Sequence, residues 1–315
     1  MDLFYHTLNS IAIPPIKVYI KQMPKLECKF YHFWMVDIIQ YTMYKLFDLH
    51  NDYYTTKRFE KSKQNYINKA KKHNASFVTA VWTSNMHAEK VLNTIESANK
   101  LISNGENGLL GIEDLHFATK PILNEIINYN PDYCGLTWNY DNNLAGGAME
   151  NGDLTEFGKY TVRELENADI YVDTAHLNER SFMSLVNYTN KPMLCTHTAC
   201  YNLLPHARNL KDYQMQIIAD SGGLIGICLV SDFISGRKSC TIMDYICHLD
   251  YAINKFGINH VAIGTDFYGT KHLPAGISDY KSLQKALVEK LTKLGYKPKD
   301  IHKIFYQNAA NFFKI

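Results

Sequence analysis

The sequence lacks several things that would have narrowed its class at once. It has no CxxC pair, and its seven cysteines are irregularly spaced, which speaks against a disulfide framework and fits reduced intracellular thiols. No charge of one sign predominates. With 33 basic and 31 acidic residues the net charge is +2, so the basic stripe that a nucleic acid or a membrane surface needs is missing. Neither a G-x-G-x-x-G nor a Walker A pattern follows any apolar run, which removes support for a nucleotide-binding sheet. Residues 30–43 form the most apolar N-terminal piece, yet His32, Asp37 and Gln40 make it too polar and too short to span a bilayer. Lysines at 17, 21, 25 and 29 and prolines at 14, 15 and 24 leave no ordered secretory signal, so a cytoplasmic location is expected. Hydrophobic residues at 46% and charged residues at 20% exclude disordered, collagen-like and coiled-coil classes.

What is present becomes regular at Lys45. Residues 1–44 are expected to be an N-terminal extension, either upstream of a natural start at Met43 or forming a helical cap. Residues 45–315 are expected to be one domain, since no Pro/Gly linker or low-complexity stretch interrupts them. Eight short β-rich runs fall at 45–49, 77–83, 108–113, 133–139, 170–175, 192–197, 222–229 and 260–266. Segments with helical spacing or length lie between them, at 87–103, 118–129, 156–167, 178–188, 210–220, 241–256 and 278–294, and 298–313 closes the chain. Asn178 and Ser278 read as helix caps. Strands apolar on both faces and alternating with helices predict an α/β fold, a (β/α)8 TIM-type barrel of the metal-dependent hydrolase type.

In such barrels the chemistry collects at the C-terminal ends of strands. Those ends read Asp48-Leu-His50-Asn-Asp52, Glu113-Asp114, Asp173-Thr-Ala-His176, Thr196-His197-Thr198 and Thr265-Asp266. One histidine in a strand is ordinarily a hydrogen-bonded core residue. Several carboxylates and imidazoles buried at one mouth cost too much unless they are paired or hold a cation. Strand alternation lets His50 and Asp52 share one ion. His176 and His197 hold a second, and Glu113 lies between the pairs as a bridge. Imidazole and carboxylate ligands without thiolate favour Zn²⁺, with Mn²⁺, Co²⁺ or Fe²⁺ as competitors. Two such ions about 3.5–4 Å apart would activate a shared water. Asp266 is then the proton shuttle.

These residues resemble the membrane (renal) dipeptidases and their bacterial relatives, from Phe47 to the C-terminus. Phe47-Asp-Leu-His-Asn-Asp52 resembles the opening HxD metal motif. Leu110-Gly-Ile-Glu113 is similar to the bridging-glutamate strand. Asp173-Thr-Ala-His176 and Cys195-Thr-His197 are similar to the two second-metal histidines, and Ile263-Gly-Thr-Asp266 to the strand of the catalytic aspartate. The resemblance implies two zinc ions and hydrolysis of dipeptides with a free C-terminal carboxylate, with tolerance of a C-terminal D-residue. It also implies that Arg208, eleven residues after His197, holds the substrate carboxylate. Two departures stand out. Trp138 occupies the place of a substrate-contacting histidine of the mammalian members and can only shape the pocket or donate one hydrogen bond, unless it is an ordinary barrel aromatic. Asp114 follows Glu113 where a glycine is usual, and either adds charge beside the bridge or pairs outward.

The remaining candidates read more blandly. Asp48, on the His50 face one pleat deeper by alternation, is either a third ligand or a buried polar residue. Asp173 orients a histidine. His116 lies either near the mouth or on a solvated loop, and His87, His206, His248, His260, His272 and His302 need no function. Cys195 shares the His197 face by alternation and is a small core residue rather than a nucleophile. Gly146-Gly147 is a mobile loop or an ordinary turn. The partner expected is a small dipeptide, with no nucleic acid and no membrane; a homodimer is compatible with everything above. Two rival readings are another amidohydrolase-type barrel acting on a non-peptide amide or ester, and a binding relative that lost turnover. The first usually opens with HxH, whereas position 52 is Asp.

Overall fold

Eight parallel strands close on themselves in sequence order, β1 next to β8. The computed structural model describes residues 44–55, 68, 70–83, 86–103 and 108–315, so the expectation for residues 1–43 lies outside the described residues. The strands are β1 (Leu46–Asn51), β2 (Ala75–Trp82), β3 (Gly108–Glu113), β4 (Tyr133–Gly135), β5 (Tyr171–Asp173), β6 (Leu194–Thr198), β7 (Leu224–Ile227) and β8 (Val261–Ile263). Around them run α1 (Ala88–Ser103), α2 (Lys120–Asn128), α3 (Glu156–Asn167), α4 (Glu179–Val186), α5 (Asp212–Asp220), the short α6 (Ser231–Ile234), α7 (Ile242–Phe256), α8 (Tyr280–Lys293), α9 (Pro298–His302) and α10 (Asn308–Phe313). The chain is the (β/α)8 barrel that its alternating pattern predicts.

Alternation along the strands sorts the apolar residues into two cores. Phe47, Leu49, Val78, Ala80, Tyr133, Leu194, Leu224 and Ala262 fill the barrel interior, which Tyr306, Phe312 and Phe313 close from below. Leu46, Leu110, Ile112, Cys134, Ile225, Val261 and Ile263 face outward onto the helices. Glycine matters where strands crowd: a Cβ at Gly226 or Gly264 would collide with the Thr196 carbonyl, so β7 and β8 make room for β6.

Three expectations change. Asn178 caps α4 through Ser181 N–H at 2.8 Å, but the cap of α8 is Asp279, not Ser278. The C-terminal helix is broken by a π-helical turn at Lys303–Gln307 that buries Ile304 and Phe305. Strands β4, β5, β7 and β8 span only three or four residues, so Trp138, His176 and Asp266 lie beyond the ladder rather than on it. Past β5 and β8, and on the neighbouring β6, carboxylates take N–H groups of the backbone. Thr265 N–H donates to Asp48 at 2.7 Å, and Ala175 N–H and Thr196 N–H donate to Asp173 at 3.0 and 2.9 Å.

Alternation also fails at two informative places. The pairing register of β1 slips between Asp48 and Asn51, and that of β6 between Cys195 and Thr198. Such bulges re-aim side chains. Asp48 therefore does not share the His50 face: its carboxylate meets Tyr280 of outer helix α8, while His50 meets Tyr133 inside the barrel. Cys195 likewise sits in the outer core while His197 turns into the mouth.

Candidate metal centre

The bulges of β1 and β6 bring His50 and His197 together, with ring centroids 3.9 Å apart. Glu113, at the end of β3, reaches both sides of the mouth with different oxygens. Its Oε2 is 3.8 Å from His50 Nε2, and its Oε1 is 2.7 Å from His176 Nε2 and 3.7 Å from His197 Nε2. Asp52 Oδ2 stands 3.9 Å from His50 Nε2, and Asp266 joins these two in a cluster whose ligand atoms lie within 4.8 Å of one another. A second cluster of the same tightness is His50, Glu113 and His197. Gly269 roofs the carboxylates, because a Cβ there would collide with Asp52 Oδ2 and Asp266 Oδ1.

The hydrogen bonds behind the imidazoles decide which nitrogen faces the mouth. His176 Nδ1 is 2.9 Å from the Asn139 Oδ1 acceptor, so Nδ1 carries the proton and Nε2 is bare. Thr196 Oγ1 donates to Asp173 at 2.6 Å, which leaves that oxygen to accept from His197 Nδ1 at 2.9 Å and again bares Nε2. His50 Nδ1 is 2.8 Å from the Tyr133 hydroxyl.

Burial acts on both kinds of side chain. It pushes Asp52 and Glu113 well above the usual carboxylate range, with mutual repulsion adding to it, and raises Asp266 to about 7. It drives His50 down to about 3, and His176 and His197 well below their ordinary value, with the Arg208 guanidinium contributing in each case. The two unprotonated Nε2 atoms of His176 and His197 stand 3.0 Å apart, with Glu113 Oε1 2.7 Å from the first and the Arg208 guanidinium 2.8 Å from the second, an arrangement that a cation would also satisfy.

A family model described as membrane dipeptidase (peptidase family M19) matches residues 53–315. The chain belongs to the membrane dipeptidase family. It is 30% identical over 194 residues to an uncharacterized Klebsiella pneumoniae protein of the pqqA 5' region, covering 57% of this chain and 70% of that protein. It is 28% identical over 195 residues to dipeptidase aclJ of Aspergillus oryzae, covering 59% of this chain but only 46% of the relative, so the match spans less than half of that curated dipeptidase. Among solved structures, a dipeptidase described as a metallo peptidase of the same family superposes with a TM-score of 0.75 at 20% identity, over 86% of this chain and 98% of that one. A Rhodobacter sphaeroides metallo peptidase, solved with a phosphinate mimic of L-Ala-D-Ala, gives 0.73 at 19% identity over 86% and 99%. At these identities the structural likeness shows the fold.

The donor set of this membrane dipeptidase family member fits a metal. His50 Nε2 and Asp52 Oδ1 are buried without a hydrogen-bond partner, and the bare nitrogens of His176 and His197 converge on the same space. Arg208 is buried beside them, with Nη2 2.8 Å from His197 Nε2 and Nε unpartnered. A cavity of about 250 Å³ opens along Arg208 and His176, bordered by Glu150, Tyr201 and Lys211. Trp138 is half-buried, stacked on His176 at 5.9 Å and edge-on to Trp82 at 5.8 Å.

Other residues fall outside the centre. Asp48 is spent on Thr265 and Tyr280, which excludes it as a third ligand. Asp114 turns away to His116, at 3.1 Å, and to Asn142. Gly146 and Gly147 are closely packed, with no room for a Cβ. Sequence reasoning passed over Tyr133, Asn139, Thr196, Thr265 and Gly269. A signal existed for two of them: the Thr-His and Thr-Asp pairs at 196–197 and 265–266 repeat the same step at two strand ends.

Proposed function

We propose that the protein is a dinuclear zinc dipeptidase that hydrolyses dipeptides with a free C-terminal carboxylate. The observation that carries this reading is Glu113, whose two oxygens face different halves of the mouth. His50 and Asp52 would hold one ion and His176 and His197 the other, with Glu113 available to both. Mn²⁺, Co²⁺ or Fe²⁺ would suit the same ligands. When bound, the ions supply Lewis acidity and a water acidified toward neutral pH.

This chain's own groups do the rest. The Arg208 guanidinium, buried beside His197, receives the substrate carboxylate and fixes the register of the scissile bond. Asp266 takes a proton from the attacking water and delivers it to the departing amine nitrogen. Its carboxyl is raised to about 7 by burial, and positive charge at His50 and Asp52 would return it to the ionised form that accepts a proton. Trp138 walls the substrate side of His176. The cavity beside Arg208 takes the C-terminal side chain, and tolerance of a D-residue there belongs to this reading. Residues 45–315 form the catalytic domain. A cytoplasmic location belongs to the same reading; no helix among the described residues is long and apolar enough to cross a membrane.

The test is metal analysis of zinc-reconstituted protein together with a panel of L,L-, L,D- and C-terminally amidated dipeptides. About two zinc ions per chain and hydrolysis restricted to free acids are expected. A single ion, or no hydrolysis of any dipeptide, would overturn the reading.

A further inference from the structure

Asp266 stands in a left-handed backbone conformation, with φ +57°, which is uncommon outside glycine although aspartate tolerates it better than most residues. The ties that hold it there centre on the residue before it. Thr265 N–H donates to Asp48 Oδ1 at 2.7 Å and its hydroxyl donates to Asp48 Oδ2 at 2.7 Å, both groups being fully buried. The same hydroxyl oxygen accepts the N–H of Phe267 at 3.0 Å. One side chain thus ties together the residues on either side of Asp266. The turn is stitched to β1 as well, since Asp266 N–H donates to His50 O at 3.0 Å and Asp52 N–H to Phe267 O at 2.9 Å. Outside the barrel, Tyr280 at the start of α8 donates to Asp48 Oδ2 at 2.6 Å and accepts from Asn51 at 3.3 Å.

We propose that Thr265, held by Asp48 and Tyr280, is a positioning residue that keeps the Asp266 carboxylate beside Asp52. Its hydroxyl has one proton, and Asp48 takes it at 2.7 Å, so the oxygen lone pairs are left to accept Phe267 N–H and add a side-chain tie to the backbone bonds that join the turn to β1. Valine at 265 preserves the volume but strands the Phe267 N–H in a buried position. Without the tie the turn relaxes toward ordinary φ and the carboxylate moves out of reach of the proton it must take. The kinetic consequence rests on the dipeptidase reading; the structural one does not.

The experiment compares Thr265→Val and Thr265→Ser in the zinc-loaded full chain. Thr265→Val is expected to speed amide exchange at Asp266 and Phe267 while the rest of the barrel keeps its protection. It is also expected to lower kcat by about 10- to 100-fold at near-wild-type KM and zinc content. Thr265→Ser, which keeps the hydroxyl, restores both. Equal defects in the two variants would assign the effect to the lost methyl packing and overturn the proposal, as would unchanged exchange at Phe267 in Thr265→Val. If that variant does not fold, Tyr280→Phe weakens the same clamp from outside the mouth. It should raise exchange at Phe267 and lower kcat a few-fold, and wild-type values for both would overturn the proposal. A wild type that binds zinc yet cleaves no dipeptide refutes the dipeptidase reading, and exchange at Phe267 then decides on the clamp alone.

Discussion

The mouth of the barrel is divided between a carboxylate half on β1 and β8, with His50, Asp52 and Asp266, and an imidazole half on β5 and β6, with His176 and His197. Both halves use the same local device. An aspartate on one strand accepts the N–H and the hydroxyl of a threonine on the next, Asp48 with Thr265 and Asp173 with Thr196. The difference lies in what the threonine oxygen accepts. Thr265 takes a backbone N–H and shapes a turn, whereas Thr196 takes His197 Nδ1 and sets a tautomer. Burial then drives the two halves in opposite proton directions to one result. Carboxylates are pushed toward the protonated form and imidazoles toward the unprotonated one, so both lose charge. Cations shared through Glu113 would resolve both costs at once.

The strongest way to break this comparison is to remove the carboxylate whose two oxygens face both halves. Glu113→Ala is expected to lose zinc from both, falling from about two ions per chain to fewer than one, with hydrolysis lost in parallel. Two unperturbed ions on metal analysis would remove the bridge.

The carboxylate half can be silenced without emptying it. Asp266→Asn should keep its zinc and its KM while kcat falls by about 10²–10⁴. The acidic limb of the rate–pH profile should also move, since an amide does not titrate. Recovery of rate with added zinc would show that Asp266 is chiefly a ligand.

The imidazole half should respond through its tautomer. Thr196→Val breaks the relay from Asp173 to His197 Nδ1, and zinc affinity on that side is expected to drop by about 10- to 100-fold. The comparison predicts that Thr196→Ser is nearly wild type and that exchange at Phe267 is unaffected. Competition titration with a chromophoric chelator measures it.

The last effect concerns stability rather than metal or turnover, at a histidine outside the mouth. His248 is fully buried, accepts Cys200 N–H at 2.9 Å and donates to Ile234 O at 3.1 Å, and burial lowers it to about 4. The unfolded chain takes up its proton below about pH 6.5 and the folded one only below about 4. Its contribution, on the order of 3 kcal/mol, is therefore full above pH 6.5 and lost as pH falls toward 4. Denaturant unfolding of His248→Gln, which can replace both hydrogen bonds, should show a flatter pH dependence across that window. An unchanged slope would place the acid sensitivity in the mouth instead.

Much of this was legible in the residues. Apolar runs such as Leu110 to Ile112 and Val261 to Ile263 are buried on both faces, as strands of a parallel sheet wrapped by helices are. The acidic and imidazole side chains at five strand ends mark the mouth because strand direction in such a barrel is common to all eight. Strand alternation, by contrast, misplaced Asp48 and Cys195. A bulge depends on the register between neighbours, and nothing within β1 or β6 alone records it.

The sequence by itself therefore determined the barrel, its strand order and the kinds of side chain gathered at its mouth, because periodicity and residue type are local properties. Only the tertiary structure decided which nitrogen each histidine presents and that Thr196 and Thr265 serve different ends. Those outcomes depend on hydrogen bonds between residues as far apart as Asp48 and Thr265, which exist only once the barrel has closed.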